Sequence, residues 1–138
     1  MEKTLIILKP DAFEKRKVGA TLTRFEEAGF NIIAAKMVQF DPDLLREHYA
    51  HVTGFPFYSR LETFMSIRPL MVLIIEGPAA IARVRRLIGP TDSQVAPAGT
   101  IRGDWGTNSM FNIAHSSDSP ESAAVEIQRF FAPEEVHA

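Results

Sequence analysis

The side chain best placed to do chemistry is His115, inside the polar run Asn112-Ile113-Ala114-His115-Ser116-Ser117-Asp118-Ser119. Taken alone it reads equally well as a packed structural histidine. Glu126 moves that balance: it stands in the following helical segment, on the flank of an apolar stripe, where a carboxylate can turn back to the imidazole. An imidazole oriented by a carboxylate is a good nucleophile. The other histidines carry less. His137 lies in the C-terminal tail, and His48 and His51 stand i, i+3 on a helical segment. That spacing suits a metal, but no third ligand follows, so the pair reads as solvated or half-packed and no protein metal site is assigned. The sequence has no cysteine, which excludes thiolate nucleophiles, thiolate zinc centres and disulfide frameworks.

Cations at element ends form the second set. Lys9 closes a strand on the face shared by Leu5 and Ile7, so it points to a covered side. In the arginine-rich segment, about 100° per residue leans Arg85 toward the Ile81, Val84 and Ile88 stripe, whereas Arg83 and Arg86 read as a solvated face. Arg102, flanked by glycines in Gly99-Thr100-Ile101-Arg102-Gly103-Asp104, suits a phosphate clamp. The common nucleotide motifs are absent: there is no G-x-x-x-x-G-K-[ST], no G-x-G-x-x-G, no H-R-D and no D-F-G. Phosphate chemistry here needs another device.

The elements that must position these groups can be read in order. Residues 4–9 form a strand apolar on both alternating faces, ended by Pro10. Val18, Leu22 and Phe25 predict a helix over 18–28 with Gly29 at its C-terminal end, and 31–40 reads as a second strand. Asp41-Pro42 opens a helix, and Phe57, Leu61, Phe64 and Met65 mark another. The most apolar strand, 70–75, leads into the arginine-rich helix, stopped by Gly89-Pro90. A loop over 91–109 follows, long enough to suggest function. A short strand over 111–115 and a helix capped by Ser119-Pro120 end the series. The order β α β α α β α β α reduces to βαββαβ, which predicts an α+β, ferredoxin-like (split βαβ) antiparallel four-stranded sheet with added helices. One difficulty stands: in a regular strand Asn112 and His115 face opposite ways.

Composition narrows the remaining classes. The 138 residues carry 15 Lys and Arg against 17 Asp and Glu, a formal charge of -2, and show no composition break or repeat, so a single domain over 1–138 is expected. The pI of about 6.1 argues against bulk attraction to nucleic acid. The longest aliphatic run, residues 70–75, is far short of the roughly 20 residues that cross a bilayer. The N-terminus lacks a signal-peptide pattern, so no membrane partner and a cytoplasmic protein are expected. Two apolar faces on the first strand, in a plan that often covers only one face with its own helices, predict an oligomer.

The sequence resembles the nucleoside diphosphate kinase family over essentially its whole length. The most specific match is Asn112-x-x-His115-x-Ser117-Asp118-Ser119, supported in order by Thr4-Leu5-Ile6-Ile7-Leu8-Lys9-Pro10-Asp11, Glu47-His48-Tyr49, Pro56-Phe57 and the segment from Gly99 to Asp104. The resemblance implies ping-pong transfer of the γ-phosphate of a nucleoside triphosphate, typically ATP, to another nucleoside diphosphate through a phosphohistidine at His115. It implies that Lys9, Tyr49, Arg85, Thr91 and Arg102 contact phosphates, that Lys9 and Asn112 meet the ribose, and that Phe57 stacks on the base. It further implies that Glu126 orients the imidazole with support from Ser117, that Mg2+ arrives on the nucleotide phosphates, and that the protein forms a homo-oligomer, tetramer or hexamer. The sequence departs from the family pattern in three places. Ser116 replaces a residue more often Gly or Ala, Ser109 replaces an aliphatic residue near the base, and the loop over 91–98 differs where the family makes subunit contacts. The alternative is a non-catalytic nucleotide-binding or assembly protein of the same fold.

Overall fold

The computed structural model describes residues 1–138. Its framework is an antiparallel sheet in the order β2-β3-β1-β4, made of β1 (Glu2–Leu8), β2 (Asn31–Val38), β3 (Leu70–Gly77) and β4 (Ala114–Ser116). β1 pairs with β3 along its whole length, from Glu2 opposite Gly77 to Leu8 opposite Met71, and with β4 through Ile6–Ser116, Ile7–His115 and Leu8–Ala114. This is the ferredoxin-like plan expected from the element order.

Alternation along β1 builds two cores. Leu5 and Ile7 face one side, where they join Leu45 of α3 (Pro42–His48), Leu61 and Met65 of α4 (Tyr58–Met65) and Phe130 of α7 (Pro120–Phe130). Ile6 and Leu8 face the other, against Phe25 of α2 (Val18–Glu27), Val84 and Ile88 of α5 (Ala80–Ile88) and Ile101 of α6 (Ile101–Trp105). All four β1 side chains are fully buried. The chain's own helices therefore cover both faces of the sheet, so neither face is left open to require assembly, contrary to the expectation from the first strand.

Helix ends follow their local chemistry. Asp41 accepts from the Leu44 N–H at 2.8 Å and Ser119 from the Ser122 N–H at 3.0 Å, each with proline in the first turn. Gly89 closes α5 at φ 95°, and a Cβ there would meet the Thr100 side chain at 2.8 Å.

Three readings need correction. The expected loop over 91–109 contains α6, whose N-cap Thr100 accepts from the Gly103 N–H at 3.0 Å; five residues with a central glycine leave no periodicity to see. Pro10 ends β1 but also starts a one-turn-plus helix, α1 (Pro10–Glu14). The last strand is Ala114–Ser116, not 111–115, so Asn112 lies outside it. At the opposite edge, β2 carries a bulge between Ile32 and Ala34. The Ile33 carbonyl there accepts from the His137 N–H at 2.8 Å, and Lys36 pairs with Glu135 at 3.0 Å, so the C-terminal tail is tied onto the edge strand.

Candidate active site

The site lies at the end of β1 and β4, and it begins with a backbone irregularity. Ile113 has φ 75°, a left-handed conformation costly for a β-branched residue, and the Ala114 N–H bonds back to the Asn112 carbonyl at 2.9 Å. Such strain, of order 1–3 kcal/mol, persists only where neighbours over-determine it. Asp11 of α1 accepts the Ile113 N–H at 3.0 Å, and the Ile113 carbonyl accepts from the Lys9 N–H at 2.8 Å. Arg102 of α6 clasps both flanking carbonyls, Asn112 at 3.2 Å through Nε and Ala114 at 2.7 Å through Nη2. The kink resolves the difficulty met in the sequence, because Asn112 and His115 both line one cleft.

His115 is half-buried, with Nε2 2.8 Å from Glu126 Oε1 on α7. A carboxylate accepts, so Nε2 carries the proton and Nδ1, which has no protein partner, keeps its lone pair. Ser117 donates to the same carboxylate oxygen at 3.0 Å and accepts from the Leu5 N–H at 3.1 Å, anchoring the carboxylate to β1. Ser117 is fully buried behind Glu126, whereas Lys9, Tyr49, Phe57, Arg85, Thr91, Arg102, Asn112, His115 and Glu126 line the cleft.

The cations differ in how free they are. Lys9 is buried and donates from Nζ to Asn112 Oδ1 at 2.8 Å and the Met110 carbonyl at 2.9 Å, leaving one ammonium proton. Burial pushes its pKa down to about 8, opposed by the Asp11 charge and reinforced by Arg102. Arg102 uses three donors on carbonyls, the third being Gly89 at 3.0 Å, and has two left; burial and then Arg85 lower it to about 10. Both amide protons of Asn112 are engaged by the Thr91 and Ser109 carbonyls at 3.0 Å, so Asn112 ties the loop to Lys9. Burial, followed by the nearby Glu126 charge, raises Tyr49 well above the usual phenol range, so its hydroxyl stays a donor.

Arg85 is exposed and bends over the end of β4, with Nη1 3.4 Å from the Ser116 carbonyl. Arg83, read as solvated, instead donates to the Ala28 carbonyl at 2.7 Å and the Pro78 carbonyl at 2.9 Å over the Phe30 ring; its long side chain folds back along the helix surface. At the outer end, Phe57 is exposed and stacks on Phe55, with ring centroids 5.6 Å apart and planes 22° apart.

The reading of the sequence missed two residues. His48, read as solvated or half-packed, is buried: its ring meets that of His115 edge-on at 4.8 Å, and burial, then His115 and Arg129, hold it far below the ordinary histidine range. Arg129, on α7 one turn beyond Glu126, donates from Nη1 to His48 Nδ1 at 2.8 Å. The i, i+3 relation of Glu126 and Arg129 was the available signal.

A histidine held by a carboxylate, in a cleft walled by desolvated cations on a ferredoxin-like sheet, is a site of the phosphotransferase kind. Residues 2–136 match the family model "Nucleoside diphosphate kinase". A nucleoside diphosphate kinase of Parabacteroides distasonis is 45% identical over 136 residues, covering 99% of this chain and 89% of that protein. The crystal structure of the Aquifex aeolicus nucleoside diphosphate kinase superposes with TM-score 0.92 at 47% identity over 98% of both chains. A halophilic nucleoside diphosphate kinase from Halobacterium salinarum, in complex with CDP, gives TM-score 0.95 at 35% identity over 99% of this chain and 91% of that one. This chain belongs to the nucleoside diphosphate kinase family, and its activity is phosphotransfer between nucleotides.

Proposed function

We propose that His115 carries the phosphate: Nδ1 attacks the γ-phosphorus of a nucleoside triphosphate, typically ATP, the bond to the β–γ bridging oxygen breaks, and the diphosphate leaves. A second nucleoside diphosphate then takes the phosphoryl group from Nδ1 by the reverse attack. The observation that carries this reading is the Nε2–Glu126 contact at 2.8 Å, which leaves Nδ1 as the ring nucleophile. Glu126, with Ser117 behind it, stabilises the imidazole as its ring gains positive character.

Lys9, Arg85 and Arg102 face the charge that spreads over the transferred group, with Tyr49 and Thr91 as further phosphate contacts. From the wall of the cleft Lys9 and Asn112 would meet the ribose, and Phe57, backed by Phe55, would offer a π face that accepts any base. As the family resemblance implies, Mg2+ arrives on the nucleotide phosphates as part of the substrate, and no protein ligand is assigned to it. No helix is long and apolar enough to cross a membrane, and we place the protein in the cytoplasm as a single domain over 1–138. Its assembly as a homo-oligomer, tetramer or hexamer, rests on the family resemblance and on the exposed Ile32 and Met37 of edge strand β2.

The test is incubation with γ-labelled ATP and magnesium, then acid and alkali treatment of any bound label, then a chase with GDP. Acid-labile, alkali-stable label that leaves as GTP, and is absent from His115→Ala, is the expected result. Folded wild-type protein that binds nucleotide without taking label would favour the non-catalytic alternative.

A further inference from the structure

The Glu126 carboxylate accounts for one ring nitrogen of one histidine, but a second imidazole stands against the first. His48, at the end of α3, is 93% removed from solvent and meets His115 edge-on, with ring centroids 4.8 Å apart and planes at 79°. Its Nδ1 lies 2.8 Å from Arg129 Nη1. A guanidinium has five donors and no acceptor, so that contact exists only if His48 Nδ1 presents a lone pair. The proton of a neutral His48 must then sit on Nε2, which has no partner in the protein. The Arg129 side chain is mostly buried and shares a face of α7 with Glu126; its Nε lies 3.4 Å from the Glu47 carboxylate without forming a hydrogen bond.

We infer that Arg129 is a positioning residue for phosphoryl transfer: by donating to His48 Nδ1 it fixes the Nε2–H tautomer, which presents a ring N–H donor to the phosphoryl group carried on His115. The physical reason is one of sign. An N–H beside phosphoryl oxygens attracts them, whereas the other tautomer would turn a lone pair on the same oxygens and repel them. This inference rests on His115 as the phosphate carrier.

Long-range 1H–15N spectra of the imidazoles read the tautomer directly and need no turnover, so they separate this inference from the labelling test of His115. Wild type is expected to show His48 protonated at Nε2 and bare at Nδ1. Arg129→Leu keeps an apolar stem but removes the donor; it is expected to populate the Nδ1–H form and to lower kcat roughly tenfold, with KM changed less than about twofold. Arg129→Lys, which keeps a donor, is expected to restore the Nε2–H form and most of the lost kcat. A His48 protonated at Nδ1 in wild type overturns the inference without any variant. An unchanged tautomer in Arg129→Leu, or a changed tautomer with unchanged kcat, overturns it as well.

Discussion

Among single residues, Lys9 has the most distinctive electrostatics. Its ammonium is buried in the cleft that His115 also lines and titrates near 8, well below the usual lysine range. Between that value and about 10.4 the unfolded chain holds a proton that the folded free enzyme does not. The charge at the site is therefore complete below pH 8 and lost above it, while this one group's contribution to stability grows over the same interval. We expect kcat/KM, which reports the free enzyme, to fall above pH about 8 with the slope of a single group. A profile flat to pH 10 would show that Lys9 keeps its proton or does not matter. Lys9, His115, Glu126 and Arg102 were legible because strand alternation, a polar run and flanking glycines marked them. His48, Arg83 and Arg129 were not, because what decides them is contact across the fold: Arg129 meets His48 from 81 positions away, and Arg83 reaches Ala28 from 55.

At the level of elements, the site depends on α1 and α6, the two short helices that periodicity could not show. α1 supplies Asp11 and α6 supplies Arg102, and between them they hold the positive φ of Ile113. Replacing Asp11 by Ala leaves the buried Ile113 N–H without a partner. That should cost about 1–3 kcal/mol of stability in a denaturant titration, and lower turnover as well, because residues 112–115 can then relax toward a regular strand. Loss of stability with full turnover would mean that the kink serves folding alone. The larger elements were legible in type and order. Their errors fall where one residue departs from regular geometry, as at Ile113, or where a helix is too short for its stripe to repeat, as in α6.

For the whole molecule, one sheet separates two cores, and the inner strand β1 is fully buried on both faces from Thr4 to Leu8. Neither core can open without exposing the strand that belongs to both. We expect calorimetry to give a single transition whose van't Hoff and calorimetric enthalpies agree for one folded unit, provided any subunit dissociation is held fixed. Two resolved transitions would contradict a single domain. The tail lashed to β2 carries a different implication. Ile33, which has no partner in β3, already receives the His137 amide, and Lys36 holds Glu135 beside it. That border of the sheet is thus partly zipped shut by the molecule itself, which protects it from templating stray strands and leaves side chains such as Ile32 and Met37, more than backbone, to meet a neighbour.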